Sequence, residues 1–217
     1  MRNRARITFR KFGDLRFIGH RDLVRMFERM LRRTGVELAL SQGFHPKAKL
    51  SFPLALAVGI EGSRELLEVE FSQVVESEHL EQLLRDNCPP GIEILNVVLL
   101  DDGEPKAQPL AIEYRLPIPA EGEQSAAEAI RQFMQSDALP IHRKGRIAPI
   151  DARADVEALE ISEGELRMVL RLTRSAGAAP REILQLLRLE SLEHQGACLV
   201  RSAIRWNFDE MMTTSLP

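Results

Sequence analysis

The chain opens on an alternation of apolar and polar side chains. Within residues 4–12, the apolar residues Ile7 and Phe9 are separated by polar positions, and a Gly-Asp pair follows. A period of two is typical of a β-strand with one buried face, and Gly-Asp favours a turn. The pattern therefore predicts that a strand begins the fold.

A helical pattern follows in residues 21–34. Its apolar side chains recur at intervals of three and four, which places them on one face of an α-helix. Gly35 comes directly after the pattern and is a typical stop signal. We predict an amphipathic helix whose buried face consists of Leu23, Met26, Phe27, Met30 and Leu31.

The rest of the first half predicts two more strands, a second helix and a final strand. Strand fragments at 36–40 and 50–52 flank a loop that contains Gly and Pro, and such loops are irregular. The elements after them are a strand at 67–71, a helix at 76–87 and a strand at 92–100. The predicted order is strand, helix, strand, strand, helix, strand.

The second half repeats this order after a polar, turn-rich segment at 101–109, which we interpret as a linker. Residues 139–155 have no clear period, because they contain two Pro and one Gly. The predicted elements are a strand at 112–118, a helix at 125–135, a hairpin of strands at 156–161 and 166–172, a helix at 180–187 and a strand at 197–208.

This repeated order predicts an α+β fold of two tandem ferredoxin-like (βαββαβ) domains. The first domain covers residues 1–104 and the second covers residues 109–217. In each domain a four-stranded antiparallel sheet would be covered by two helices on one face.

The composition is that of an ordinary globular protein. The chain has 217 residues, of which 44% are hydrophobic and 28% are charged. No apolar run reaches the roughly 18–20 residues that span a bilayer. The basic N-terminus leads into no apolar signal core. We therefore expect a cytoplasmic protein without a membrane segment.

The cysteines and glycines exclude most classes of cofactor enzyme. Cys88 and Cys198 have no Cys or His neighbour at the spacing of metal ligands. The sequence also lacks a phosphate-binding Gly-Lys-Ser/Thr loop and a dinucleotide-binding glycine pattern after a strand. We predict no cofactor, no metal ion and two free thiols.

The charges are strongly segregated along the chain. Residues 1–50 contain 13 Lys and Arg against 4 Asp and Glu, a net charge of +9. Residues 51–110 contain 3 against 12, a net charge of −9. A cluster of like charge can steer a charged partner, although the two segments could also neutralise one another in the fold.

Four arginines share the side of the first predicted helix opposite its apolar face. Their guanidinium groups suit phosphate, so this face predicts contact with a nucleic-acid backbone. The alternative is a solvated polar face in which Asp22, Glu28 and acidic residues of the 61–81 region neutralise the charge. The arginines are Arg21, Arg25, Arg29 and Arg32.

The loop at 41–49 combines aromatic, amide and basic groups. Stacking on aromatic rings together with backbone charge is how single-stranded or looped RNA is held, so we interpret the segment as a binding loop. The alternative places Phe44 in the core, with Pro46 fixing the turn. The candidate binding residues are Gln42, Phe44, His45, Lys47 and Lys49.

Two further groups of residues each allow two interpretations. His20, Asp22 and His45 have side chains suited to acid–base catalysis or metal binding, but the first two also suit the N-terminus of a helix. In the second half, a short basic loop either extends the positive surface or is an exposed turn. Its candidate binding residues are Arg143, Lys144 and Arg146.

Several short motifs stand close together in the first half. They are Arg-Lys-Phe-Gly-Asp-Leu-Arg-Phe-Ile-Gly-His-Arg-Asp-Leu at 10–23, Ser-Gln-Gly-Phe-His-Pro-Lys at 41–47 and Ser-Phe-Pro-Leu at 51–54, with Gly59 and Glu65. In these motifs the chain resembles the radical SAM-linked domain family. That family is a domain of unknown function found next to, or fused behind, cobalamin-type radical SAM proteins.

The resemblance extends weakly into the second half, through Lys-Gly at 144–145 and Ile-Asp-Ala-Arg at 150–153. The chain departs from the family where Gly-His-Arg-Asp at 19–22 replaces an expected Ser-His-Leu-Asp, so this position has no serine hydroxyl. The resemblance implies a radical SAM protein as partner, one that modifies RNA or the translation apparatus.

We therefore predict a non-catalytic accessory protein that presents RNA or a ribonucleoprotein to a radical SAM enzyme. One alternative is a metal-independent RNA-processing enzyme with His45 or His20 as general acid or base. Another is a protein–protein adaptor, in which acidic residues of the 61–81 region bind a basic subunit.

Overall fold

The alternating and helical patterns form two compact units in the computed structural model, which describes residues 3–172 and 177–209. The division falls between Gln108 and Pro109. Each unit contains both helices and strands, so the α+β class is observed. The segment 101–107 belongs to the first unit.

The first unit contains a four-stranded antiparallel sheet. Strand β1 lies between β3 and β4, and the short strand β2 pairs with the outer side of β3, which makes the spatial order β4-β1-β3-β2. The strands are β1 (Arg4–Lys11), β2 (Leu50–Ser51), β3 (Glu61–Glu70) and β4 (Ile92–Leu100).

Two amphipathic helices pack on this sheet through one continuous core. Helix α1 (His20–Arg33) follows a 3₁₀ turn (Gly13–Phe17), and helix α2 (Ser77–Asp86) joins β3 to β4. The predicted apolar face of α1 is confirmed, with Met26 only partly buried. The core combines Ala5, Ile7, Phe9, Leu23, Phe27, Met30, Leu31, Leu67, Val69, Phe71, Leu80 and Leu84 with residues of β4.

An aromatic cluster anchors α1 to the sheet. The ring centroid of Phe27 lies 4.7 Å from that of Phe9 on β1 and 5.5 Å from that of Phe52, which follows β2. The tilted and edge-on ring geometries are those that the aromatic quadrupole favours. Phe9 and Phe27 are completely buried, so this cluster decides which side of α1 faces inward.

The opposite face of the sheet includes two buried charged side chains, Arg6 and Glu68. The Glu68 carboxylate accepts hydrogen bonds from Arg6 Nε at 2.8 Å and from the Ala107 backbone N–H at 3.1 Å. Arg6 also donates to the Pro105 carbonyl at 2.5 Å. The predicted linker is therefore tied to the first unit at 104–107, because β1 and β3 supply partners for its backbone.

The second unit has the same order of main elements and an antiparallel sheet with the order β10-β5-β9-β8. It also contains short elements that the periodicity did not predict. In chain order the elements are β5 (Pro109–Pro117), α3 (Ala120–Gln135), β6 (Pro140–Ile141), β7 (Ile150–Asp151), α4 (Ala152–Asp155), β8 (Val156–Ser162), β9 (Glu165–Arg171), α5 (Pro180–Leu186), α6 (Ser191–His194) and β10 (Val200–Trp206).

Asp151 organises the segment 139–155, for which no pattern was visible. Its carboxylate accepts hydrogen bonds from the backbone N–H groups of Leu139, at 2.9 Å, and Arg153, at 3.0 Å. The first of these hydrogen bonds, together with that from Arg153, lowers the pKa of Asp151 despite the opposing effect of desolvation. A side chain that binds backbone groups leaves no periodic signature, so the sequence pattern did not predict this segment.

The aromatic cluster makes a testable prediction for stability. Phe27→Ala removes a fully buried ring, and we expect a loss of about 3–5 kcal/mol in the free energy of unfolding, because the site cannot collapse fully around the cavity. Urea unfolding followed by circular dichroism measures this loss. Val74→Ala, at a side chain that is 59% exposed, is the control and should change stability by less than about 0.5 kcal/mol.

Candidate nucleic-acid interface

Helix α1 presents four arginines away from the core of the first unit. The buried residues of the helix occupy one side, and all four arginines are exposed on the other. Spacings of four, four and three residues keep their side chains within one sector of the helix surface. We name Arg21, Arg25, Arg29 and Arg32 the arginine ridge.

Acidic residues neutralise this ridge only in part. Arg25 lies 3.6 Å from Asp22, and Arg32 lies 2.7 Å from Glu28, both on the same helix. Such exposed helical pairs contribute only about 0.3–0.5 kcal/mol, so a phosphate group can compete for the arginines. Arg21 and Arg29 form no ion pair with any residue that the structure describes.

The acidic segment at 61–81 does not cover the ridge. No carboxylate from that segment forms an ion pair with a ridge arginine among the described residues. Glu70 instead lies 2.8 Å from Lys49, and Glu61 lies 3.5 Å from Arg16. The alternative of a neutralised ridge is therefore supported for Asp22 and Glu28 and, among the described residues, not for the acids of the 61–81 region.

The candidate binding loop is a small hairpin that leaves the edge of the sheet. The Lys49 N–H donates to the Ala39 carbonyl at 2.8 Å, and the Ser41 N–H donates to the Lys47 carbonyl at 2.8 Å. Between these bonds lies a tip of five exposed residues, 42–46. We call residues 39–49 the edge hairpin and residues 42–46 its tip.

Phe44 is the most prominent residue of the tip. Its relative accessibility is 103%, so the alternative that packs this ring into the core is wrong. Gly43 precedes it with φ +130°, a region that side chains strongly disfavour and glycine readily adopts. The bend therefore depends on glycine and places an aromatic ring in solvent beside Gln42 and His45, which are also exposed.

The edge hairpin and the arginine ridge meet at the C-terminal end of α1. A shallow groove of about 580 Å³ is lined by Arg32 from the helix and by Leu40 and Ala48 from the base of the hairpin. The structure thus brings the last ridge arginine next to the support of the tip. Lys47 is exposed on this hairpin, whereas Lys49 is held by Glu70.

A second exposed aromatic residue lies in the turn just before the N-terminal end of α1. Phe17 is 58% exposed, and the guanidinium of Arg16 lies 4.5 Å from the centre of its ring. The Arg16 carbonyl accepts a hydrogen bond from the Gly59 N–H at 2.8 Å, which fixes this turn against the chain before β3. The sequence pattern marked neither residue as part of a site.

The structure does not assemble His20, Asp22 and His45 into one site. The His20 ring contacts Phe52 with a centroid distance of 5.6 Å, and Asp22 lies in the first turn of α1 near Arg25. His45 lies at the tip of the edge hairpin. Among the described residues, no three His, Cys, Asp or Glu side chains group closely enough to hold a metal ion.

Lys11 is a structural cation that the sequence pattern did not single out. It is only 1% exposed, and its Nζ donates to the carbonyls of Arg16 at 3.5 Å and Ile18 at 3.3 Å. These bonds hold the turn that leads into α1. The sequence did contain an indication that Lys11 is buried, because this residue continues the alternation of buried positions through Ile7 and Phe9. Glu65, at 3% exposure, is a second buried charge within the resembling motifs.

Arg143 has a structural role in the second unit. Its guanidinium donates to the Glu182 carboxylate at 2.7 and 2.5 Å and to the Gly177 carbonyl at 2.9 Å. These contacts use Nε and one terminal nitrogen of the guanidinium, and the predicted binding role of Arg143 stays a prediction. The neighbouring Lys144 and Arg146 are exposed.

Comparison with protein-family models assigns the chain to a family. Residues 4–182 match the model of a family described as "Uncharacterized protein conserved in bacteria (DUF2344)". The chain belongs to this family. The expected membership in a domain family of unknown function is confirmed at that level.

Other comparisons add little. No curated protein matches the chain. Among solved structures, the chain is similar to one described as "Crystal Structure of an Unknown Protein from Galdieria sulphuraria", with 11% identity, a TM-score of 0.29 and coverage of 94% of this chain and 98% of the other. Within the described residues, no helix has the length and apolar character that crossing a membrane requires.

The Arg143–Glu182 pair makes a prediction about pH. The hydrogen bond from Arg143, with one from the Ala179 N–H, lowers the pKa of Glu182 against the opposing effect of desolvation. A carboxylate with a lowered pKa stabilises the fold above its unfolded pKa of about 4.3, and this contribution disappears as the pH falls through the folded value. Glu182→Gln should lower stability at pH 7 and weaken the dependence of stability on pH below about 4.3.

Urea unfolding of both proteins between pH 7 and pH 3 measures this difference. Glu163→Gln is a suitable control, because Glu163 lies in the exposed turn between β8 and β9. The assignment is contradicted if Glu182→Gln and the native protein lose stability in parallel as the pH falls.

Proposed function

We propose that this chain is a non-catalytic binding protein that presents RNA, alone or in a ribonucleoprotein, to a radical SAM enzyme. The observation that carries the proposal is the arginine ridge, an exposed cationic helix face that leaves Arg21 and Arg29 without an ion pair among the described residues. Planar guanidinium donors bind phosphate well, and a row of them matches the regularly spaced phosphates of a nucleic-acid backbone.

The edge hairpin supports RNA rather than a simple anion as the ligand. A small anion needs a compact pocket, whereas the ridge is an extended helix surface with a hairpin at one end. The exposed Phe44 ring offers a stacking plane, and Gln42 and His45 beside it can form hydrogen bonds with base edges. An RNA strand would use both surfaces, because its phosphates suit the arginine ridge and its bases suit the residues of the tip.

The radical SAM partner is proposed from the resemblance of the motifs at 10–23, 41–47 and 51–54. An iron–sulfur cluster is commonly held by several cysteines of one chain, and this chain has two, Cys88 and Cys198. The partner would therefore supply the cluster and the chemistry. This chain would supply affinity and position for the substrate.

We also propose that both units are ferredoxin-like. Each unit has the main order strand, helix, strand, strand, helix, strand, and in each antiparallel sheet the first main strand lies between the third and the fourth. In the first unit, α1 connects β1 to the edge strand β2, and its arginine ridge faces away from the core.

Charge reversal at the two unpaired arginines tests the RNA proposal. The double variant Arg21→Glu/Arg29→Glu should weaken binding of a mixed-sequence RNA by at least ten-fold at 50 mM salt. It should also make the slope of log K against log salt shallower by about 0.7 for each phosphate that the variant no longer binds. Fluorescence anisotropy across a salt series measures both quantities.

The matched control is Arg64→Glu/Arg188→Glu, which reverses two exposed arginines outside the ridge. This variant has the same net charge as the ridge variant, so a purely non-specific effect would weaken both equally. Equal loss in the two variants would overturn the proposal, as would RNA binding that neither variant changes. Cleavage of RNA that requires His45 or His20 would favour the enzyme alternative instead.

Co-purification tests the partner. Affinity-tagged protein recovered from its native host should bring a radical SAM protein with it, and mass spectrometry of the eluate identifies that protein. The association should survive nuclease treatment if the two proteins contact each other directly. Recovery of basic proteins without a radical SAM protein would contradict the proposed partnership and favour the adaptor alternative.

A further inference from the structure

Two exposed aromatic residues lie near opposite ends of the arginine ridge. Phe17 precedes Arg21 by four residues, so it lies near the N-terminal end of α1. Phe44 stands on the edge hairpin, whose base lines a common groove with Arg32 near the C-terminal end. The first unit therefore has one exposed aromatic residue before the N-terminal end of the ridge and another on the hairpin beside its C-terminal end.

The length of the ridge sets the size of a ligand that could use all of it. Arg21 and Arg32 are eleven residues apart, which corresponds to about 16 Å along an α-helix. Each nucleotide of a stacked strand advances about 3.4 Å along the strand axis, so a stacked segment of about five nucleotides that lies parallel to α1 covers this distance. The two rings would then lie near the two ends of such a segment.

We propose that α1 binds a single-stranded RNA segment of about five nucleotides, with its phosphates on the arginine ridge and a base stacked at each end, on Phe44 and on Phe17. This inference rests on the proposed function and adds the strandedness and length of the ligand. It also adds Phe17, with its neighbour Arg16, to the binding residues.

Single strands are favoured because they can present base faces along their whole length, whereas a duplex exposes them only at its two ends. In a duplex the bases are stacked on one another, and their faces cannot reach a protein ring without unpairing. Phe44 is fully exposed, and Phe17 is 58% exposed with one approach occupied by Arg16. A base could stack on the remaining surface of Phe17, beside an Arg16 that lies 3.5 Å from Glu61.

Both rings stand on ordered supports. Lys11 holds the carbonyls of Arg16 and Ile18, on either side of Phe17. Cross-strand hydrogen bonds and the Lys49–Glu70 pair hold the edge hairpin below Phe44. A stacking residue on a fixed support loses less conformational entropy on binding, so such supports favour affinity.

The arrangement suits RNA better than a protein partner. Residues that dominate protein interfaces cluster near the centre of a buried apolar patch, with polar groups around the rim. Here the order is reversed, because one aromatic residue precedes α1, the other lies on the hairpin near the C-terminal end of α1, and the exposed face of the helix carries arginines. Base stacking at the ends with phosphate binding between them matches this order.

Anisotropy with labelled oligonucleotides tests the inference. Affinity for unstructured single-stranded RNA should rise with length up to about five to seven nucleotides and then level off. Phe44→Ala and Phe17→Ala should each weaken that binding by about five-fold to one hundred-fold, which is the effect of removing one stacked base. Phe44→Trp and Phe17→Tyr keep a stacking plane and should bind nearly as well as the native protein.

Two comparisons separate this inference from the proposed function. Val74→Ala and Val98→Ala remove other exposed apolar side chains of the first unit and should leave binding unchanged. A blunt RNA duplex should bind through charge alone, so Arg21→Glu/Arg29→Glu should weaken its binding while Phe44→Ala and Phe17→Ala should not.

The outcomes are distinct. If the alanine variants bind single strands as tightly as the native protein while the ridge variant loses affinity, the stacking inference is overturned and the proposed function stands. If neither the alanine variants nor the ridge variant changes RNA binding, both are overturned. Circular dichroism checks that each variant is folded. Because both phenylalanines are exposed, we expect their removal to leave the core of the first unit intact.

Discussion

The packing of α1 against the sheet of the first unit is the interaction on which the candidate interface depends. Phe27 contacts Phe9 on β1 and Phe52 beside β2, and this apolar contact decides which side of the helix faces inward. The arginines repel one another and would not gather by themselves. They form a row in solvent because burial of the opposite helical face leaves them no other position.

Buried charges support this arrangement from below. Lys11 is enclosed at the end of β1 and binds carbonyls of the turn that leads into α1. Arg6 and Glu68 perform a similar task on the other sheet face, where they hold the backbone at 105–107. A buried charge is costly unless its hydrogen bonds are satisfied, so these residues are bound to specific partners and restrict the backbone around them.

The sequence predicted the elements correctly where the apolar periodicity was strong. It did not predict segments in which a side chain forms hydrogen bonds with the backbone, as Asp151 does. The helical spacing of Leu23 and Phe27 predicted α1 and its buried face correctly. Strand β3 begins at Glu61 rather than at 67, because its first part contains Gly62 and the buried Glu65, which break the apolar alternation. The pairing of Arg143 with Glu182 was not predicted for a related reason, since a basic residue in a short loop gives no indication of a distant carboxylate.

The sequence by itself determined the order of the elements, the buried face of α1 and the presence of four arginines opposite that face, because these depend only on local periodicity. Only the tertiary structure decided that Phe44 and Phe17 are exposed and that the acids of the 61–81 segment form no ion pair with the ridge among the described residues. Exposure and charge pairing depend on residues that are distant in the chain, and no local pattern encodes those distances.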